Sequence, residues 1–458
     1  MNNKTNPMCS IVMLSYNQLN YTKACIESIR CYTEDVSYEI IVVDNHSSDQ
    51  ECVSYLEKQK DLHLIAEKEN LGFAGGCNEG IKAAKGKYIM LLNNDTIVTK
   101  RWLSNMIALL EERPEIAMTG PLTNATVGKQ MITVPYGDDL AQMQQYAEQI
   151  ATSDASPWRT LRLVFFCVLI RRELFDEIGL LSEDFKVGNY EDDDFNLRVL
   201  MKQRQMYICR TSFIHHFMNV TFKSPDVKRE QIMMRNKMVL ERKWDHMDWN
   251  HHAVYNRYML EQLRRDDIKN VLHIGCGLGS LSIELKEQNA EIKVIGVEAH
   301  PIRRTIAKQF VDEIYAMDEQ MQFLSELKKQ AYDAAVIECS LEILGSSLLT
   351  KIRPYLKQGA KVYLRVFNFR HVTTLERVIY GKVAGDLLCA TSKDFRYFYD
   401  ETLRDQLEAL GYQVMEEKEI KKTLSSRQVQ LMEKVGNESG YEKYGTVYNR
   451  IYQLKVKE

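Results

Sequence analysis

ENLGFAGGCNEGIKAAKGKYIMLLNNDTIV, residues 69–98, runs a glycine-rich segment into an apolar strand that ends in Asn93, Asn94 and Asp95. Amide and carboxylate oxygens are costly to bury unpaired. They belong at a strand end, facing a cation or a polar ligand. Two earlier strands end the same way. CSIVMLSYN (9–17) closes on Ser15, Tyr16 and Asn17, and YEIIVVDNHSSD (38–49) runs into Asp44 and Asn45. YTKACIESIRCY (21–32) has the apolar spacing of a helix, and LHLIAEKEN (62–70) reads as a further strand. Strands and helices alternate, and open α/β sheets bind ligands outside the carboxyl ends of their strands. A single polar strand end is the start of a loop; three in one sheet point to a site.

A second unit of this kind opens at DIKNVLHIGCGLGSLSIEL (267–285), which reads as strand, glycine-rich turn and helix. VIGVEAHP (294–301) follows as a strand that delivers Glu298. Between the halves, roughly residues 238–267 are rich in charge, His and Tyr and contain no Pro or Gly, which predicts a connecting helix. The expected organisation is a first domain over 1–245, a helical connector over 246–267 and a second domain over 268–458.

Bulk properties narrow the classes. At 458 residues the chain has room for two or three cores. A net charge of −3 argues against a nucleic-acid binder. The ten cysteines include no CxxC, which reads as reduced thiols in a cytoplasmic protein. The first residues show no basic segment followed by a long apolar core, so no signal peptide is expected. The longest apolar run, Leu163–Ile170, is far short of the roughly 20 residues that span a bilayer, so no integral membrane segment is expected.

The first half resembles a family-2 glycosyltransferase of the GT-A fold, in its rhamnosyltransferase-like branch. The likeness lies in eight ordered blocks: SIVMLSYN, EIIVVDNHSSD, ENLGFAGGCNEGI, YIMLLNNDT, LIRRELFDEIGLLSEDF, YEDDDFNLRV, FIHHF and RNKMVL. The resemblance implies an inverting, Mg²⁺- or Mn²⁺-dependent transfer of a sugar from a nucleoside diphosphate donor to a glycan, glycolipid or glycoprotein. It places Tyr16 and Asp44 at the nucleoside. Asp95 takes the last acid of the DxD motif, with Asn93 where the first acid stands and Asn94 between them. His215 is implied as a second metal contact, Asp192 with its neighbour Glu191 as the base, and Arg235 and Asn236 as a basic element near the diphosphate. The glycines after Leu71 are expected to let the backbone approach the donor. On its own, an acidic run such as Glu191–Asp194 is a solvated helix start, and Asn-Asn-Asp is a turn signal.

Residues 268–458 resemble a class I S-adenosylmethionine-dependent methyltransferase. Gly275, Gly277 and Gly279 stand in its first motif, and Glu298 is implied as the acceptor for the ribose hydroxyls. YDAAVIECSLEIL, IRPYLKQGAKVYLRVFNFRH, FRYFYDETLRDQLEALGYQV and a closing VYNRIYQLKVK strand follow in order. Departures fall where the family places histidines: this chain has Cys339 and Glu342 in one block and Asp394 in the other, leaving His371 as a candidate base. The expectation here is cofactor binding, with methyl transfer open. The fusion suggests a product that is glycosylated and then O-methylated. Two alternatives are a sugar methyltransferase whose first half only binds glycan, and a non-enzymatic scaffold.

Overall fold

The computed structural model describes residues 6–137, 139–218, 229–265, 268–338, 347–367, 400–421, 424, 428–429, 432 and 447–457. Cys339, Glu342, His371 and Asp394 lie outside them. The chain forms two compact units, Met1–Trp249 and Asn250–Glu458.

The first unit is built on a nine-stranded sheet. Its elements run β1 (Cys9–Ser15), α1 (Leu19–Tyr32), β2 (Tyr38–Asp44), α2 (Gln50–Glu57), β3 (Leu62–Ala66), α3 (Gly72–Ala83), β4 (Tyr88–Asn93), β5 (Thr96–Val98), α4 (Trp102–Glu112) and β6 (Ile116–Thr123). They continue with α5 (Leu140–Ala151), β7 (Trp158–Arg159), β8 (Cys167–Arg171), α6 (Arg172–Ile178), α7 (Glu191–Met201), β9 (Gln205–His216) and α8 (Arg229–Lys243), and α9 (Trp249–His252) begins at the last residue of this unit and runs into the second. The strand order is β3-β2-β1-β4-β8-β6-β9-β5, with β7 paired to β9. Strands β1 to β4 are parallel, and β8 joins β4 antiparallel. Strands β1, β2 and β4 are near-continuous apolar runs buried along most of their length, whereas the edge strand β3 is partly exposed. Their register sets Ser15 opposite Asp44 and Leu14 opposite Asn93, so the polar strand ends stand level.

The glycine-rich segment does something other than the sequence suggests. Helix α3 starts at Gly72 itself, and its glycines Gly76 and Gly80 face the sheet. A Cβ at Gly80 would lie 2.3 Å from Val12 Cγ1 and 3.3 Å from Val43 Cγ2. Both valines are buried and stiff at χ1, so the helix sits closer to β1 and β2 than any other residue permits. Gly80→Ala should therefore lower stability by about 1–3 kcal/mol through overpacking, although alanine gains about 1 kcal/mol of helix propensity. Urea unfolding of the full chain measures the balance.

The second unit holds a seven-stranded sheet in the order β12-β11-β10-β13-β14-β16-β15. Its elements are α10 (Arg257–Arg265), β10 (Asn270–Ile274), α11 (Ser280–Gln288), β11 (Lys293–Glu298), α12 (Pro301–Ala307), β12 (Glu313–Ala316), β13 (Tyr332–Ile337), α13 (Ser347–Ile352), β14 (Leu356–Phe367), α14 (Asp400–Ala409), β15 (Tyr412–Lys421) and β16 (Val447–Val456). Strands β10 to β14 are parallel, and β16 lies antiparallel between β14 and β15. Both units are thus Rossmann-like α/β sheets.

Over 246–267 the structure has two short helices, α9 and α10, where the sequence suggests one connector. The break has a local cause: Asn256 Oδ1 accepts from the Met259 N–H at 3.1 Å and caps a new helix. Met259, Leu260 and Leu263 are then buried against Val271, Leu281 and Val294.

Candidate active site

At the carboxyl edge of the first sheet, the loops are tied to one another before any ligand is considered. Asn17 Oδ1 accepts from the Asp49 N–H at 2.9 Å, and the Ser47 hydroxyl donates to Asp44 at 2.5 Å. Asn45 reaches across to residues 70–72: its Oδ1 accepts from the Leu71 N–H at 2.9 Å, and its Nδ2 donates to Gly72 O at 3.2 Å. Asn78 of α3 donates to Leu181 O and accepts from Leu181 N, both at 3.0 Å. The segment that carries the level strand ends thereby also fixes the loop that leads to α7. Tyr16 is half-buried at the end of β1, and Asp44 is buried at the end of β2.

Asn93, Asn94 and Asp95 separate on folding. The Asn94 side chain turns inward, where Nδ2 donates to Thr22 Oγ1 at 2.9 Å. Asp95 is buried beside a histidine, and that histidine is His216, not His215. His216 Nε2 lies 3.3 Å from Asp95 Oδ1. His215 bonds through Nδ1 to the Tyr136 hydroxyl at 2.9 Å and packs edge-on against Phe217. The reason is strand alternation: β5 pairs Thr96 with His216 and Ile97 with His215, and adjacent side chains leave opposite faces.

The surroundings of His216 suit a cation. Its ring stacks on Phe166, with centroids 5.0 Å apart, and its Nδ1 lies 2.8 Å from the Ala125 carbonyl. A carbonyl only accepts, so Nδ1 carries a hydrogen, and Nε2 is the atom turned toward the Asp95 carboxylate. Two acceptors facing each other need a proton or a metal ion between them. A ring N–H fixed on a carbonyl is the usual outer partner of a metal-bound histidine. Among the described residues no group of three or more His, Cys, Asp and Glu side chains is arranged to hold a metal. Asp95 and His216 offer one oxygen and one nitrogen ligand, a set that fits a cation taking further oxygens from a substrate, as Mg²⁺ and Mn²⁺ do with diphosphates.

Helix α7 starts with four buried acids. Asp193 is claimed by Arg162, whose Nη2 donates to Oδ2 at 2.7 Å, and by Trp249 Nε1 at 2.7 Å. Asp194 is claimed by Arg198 at 3.0 Å, Lys243 at 3.0 Å and Trp244 Nε1 at 3.0 Å. Asp192 accepts from the Asp193 N–H at 2.9 Å. Glu191 Oε2 has no hydrogen-bond partner among the described residues. Burial pushes the Asp192 carboxyl up, opposed by Arg162 and by backbone N–H groups. Burial and then repulsion from Asp192 push Glu191 well above the usual carboxylate range. A carboxylate so raised is a better base near neutral pH. The segment from Arg162 to Phe166 touches both clusters, through Arg162 on Asp193 and Phe166 on His216.

Asn236 departs from expectation. It is fully buried in α8, and its amide nitrogen is committed to the backbone carbonyls of Lys186, Gly188 and Asn189. Arg235 is exposed and donates to Asn236 Oδ1 at 2.9 Å. Sequence reasoning also missed Arg162, Trp244 and Trp249. The two tryptophans five residues apart in an otherwise charged stretch were a signal for buried indoles with N–H partners.

In the second unit, Gly275, Gly277 and Gly279 have φ of 77°, 57° and 85°. These are left-handed values that side chains adopt rarely. Glu298 accepts from the Gly277 N–H at 2.8 Å, the His300 N–H at 2.9 Å and Arg303 Nε at 2.9 Å. Arg303 Nη1 in turn lies 2.8 Å from His252 Nε2. A carboxylate has about four lone-pair positions, so a diol can bind Glu298 by replacing Arg303. The residues fit S-adenosylmethionine on that condition. At the end of β13, Glu338 meets His273 Nε2 at 3.2 Å and Arg365 Nη1 at 3.1 Å. Burial alone would raise its pKa, but His273 and Arg365 bring it down to about 2. Its backbone N–H donates to Ile274 O at 2.9 Å, next to the glycine loop, and the sequence reading passed over it.

Residues 10–179 match the model of glycosyl transferase family 2, and residues 249–417 match that of a methyltransferase domain. Asp192 and His216 lie beyond the first match. An uncharacterized glycosyltransferase of Haemophilus influenzae is 30% identical over 128 residues, 27% of this chain and 39% of the relative. Glycosyltransferase GlyG of Streptococcus pneumoniae is 26% identical over 195 residues, 41% of this chain and 62% of the relative. O-antigen biosynthesis protein RfbC of Myxococcus xanthus is 26% identical over 227 residues, 46% of this chain and 17% of the relative. The chain thus spans less than two thirds of each relative's length. No helix among the described residues is long and apolar enough to cross a membrane.

Proposed function

We propose, from a chain that joins a glycosyl transferase family 2 domain to a methyltransferase domain, that the first unit transfers a sugar with inversion from a nucleoside diphosphate to a hydroxyl of a bacterial glycan, glycolipid or glycoprotein. The observation that carries the reading is the pairing of two clusters through one segment: Asp95 with His216, and the acids opening α7. Tyr16 and Asp44 hold the nucleoside. A divalent cation on Asp95 and His216 supplies neutralisation of charge on the leaving diphosphate. Asp192 takes the proton of the acceptor hydroxyl as its oxygen bonds to the anomeric carbon and the bond to phosphate breaks. Glu191, buried next to Asp192, is the second candidate for that base. The branch resemblance favours dTDP-rhamnose as donor, and the relative from Myxococcus xanthus favours a surface glycan as acceptor.

The second unit binds S-adenosylmethionine through Gly275, Gly277, Gly279 and Glu298, and methylates a hydroxyl of the sugar. Glu298→Ala should weaken binding of the cofactor or its demethylated product at least about tenfold, the loss of one charge-assisted hydrogen bond. Calorimetry on the full chain measures it.

Thermal shift with a panel of sugar nucleotides and Mn²⁺ tests the first unit, because a ligand bound only by the native state raises the melting point. Donor hydrolysis then separates a transferase from a domain that only binds glycan. A panel in which no nucleotide moves the melting point would sink the reading.

A further inference from the structure

Four consecutive residues before α7 hold left-handed backbone: Val187 (φ 74°), Gly188 (138°), Asn189 (75°) and Tyr190 (78°). Such conformations are costly with a side chain, above all for β-branched Val187. A run of them persists only where the surroundings over-determine it. Here two helices do so. From α3, the Phe73 N–H donates to Val187 O at 3.3 Å. From α8, buried Asn236 directs Nδ2 to Gly188 O at 2.9 Å, Asn189 O at 3.2 Å and Lys186 O at 3.3 Å. An amide has two N–H bonds, so three carbonyls share them and none of the donor capacity remains for a ligand. Arg235 Nη1, at 2.9 Å from Asn236 Oδ1, orients the amide.

The clamped run ends at Tyr190, which caps α7, and Glu191 and Asp192 are the first two residues of that helix. We propose that Asn236 is a positioning residue for the catalytic base: by clamping residues 186–189 it sets the direction in which the first turn of α7 presents Asp192. The inference rests on Asp192 being the base. It reassigns Asn236 from the donor to the base.

The test uses the full chain in three variants. Asn236→Asp keeps the shape but turns oxygens toward the carbonyls. Asn236→Ala removes the clamp. Gly188→Ala strains the run from within, since a Cβ there would lie 3.3 Å from Phe73 Cβ at a φ of 138°. The probe is dTDP-rhamnose, or whichever sugar nucleotide most raises the wild-type melting point. Steady-state hydrolysis and amide hydrogen exchange over 187–191 are measured together. We expect kcat to fall about 10–100-fold, the cost of misplacing a reacting group, with KM near wild type and exchange at 187–190 accelerated. Wild-type kcat in all three variants overturns the positioning role. A raised KM with kcat retained overturns it in favour of a donor contact. Unchanged exchange overturns the clamp itself. A wild-type protein that hydrolyses no donor overturns the functional reading instead, and the exchange arm still reports on the clamp.

Discussion

Asp192→Asn should leave donor binding in place and cut donor hydrolysis and sugar transfer by roughly 10²-fold or more. The substitution keeps the shape of the side chain and the acceptor for the Asp193 N–H, so the first turn of α7 survives and only basicity is lost. Wild-type turnover in this variant would shift the role to Glu191, because Asp193 and Asp194 are already bound to cations. The wild-type pH profile gives a second check. Burial raises the Asp192 carboxyl, and the working form is the carboxylate. Activity should therefore fall as pH drops through a value above the ordinary aspartate pKa of about 3.9. A profile flat down to that value would remove Asp192 from the chemistry.

Asp95→Ala should abolish the Mn²⁺-dependent part of nucleoside diphosphate binding, and His216→Ala should weaken it at least about tenfold. His215→Ala should do neither, since His215 bonds to Tyr136 and belongs to an aromatic cluster. Calorimetry with dTDP, with and without Mn²⁺, reads all three. The contrast between neighbouring histidines is the sharp part of the test. Loss confined to His215→Ala would restore the assignment that FIHHF suggests by position. The expected pattern would mark His216, fixed by Phe166 and Ala125, as the ligand.

These cases show where sequence is a sufficient guide. Strands β1 to β4 of the first unit and β10 and β11 of the second were legible because parallel strands read as apolar runs, and a polar residue that interrupts such a run marks its end. Asp44, Asp95 and Glu298 were found that way. His215 and His216 could not be separated, because a strand offers alternate residues to opposite faces and the choice depends on register with β5. Asn236 follows an arginine, which suggests charge recognition. Its burial comes from a loop 47 to 50 residues earlier folding back onto α8. The glycines of α3 were expected to admit the donor, yet Gly76 and Gly80 are four apart, the spacing of one helix face, and both meet the sheet. Their purpose is the approach of a helix to two strands that lie far from it in sequence.

The order of strands in the second sheet has a consequence for biosynthesis. β16 is the last strand of that sheet along the chain, yet it lies between β14 and β15 and pairs with both. On the ribosome, β15 therefore has no neighbour among the described strands until β16 emerges. At about 5–20 residues per second, the stretch separating the first unit from β16 takes on the order of ten to forty seconds to translate. The first unit can complete its sheet in that interval, while the nascent second unit carries two unpaired strand edges, the kind of surface that recruits other chains. A nascent chain stalled ahead of residue 447 should expose those edges to chaperones and proteases, with the first unit already folded beside it.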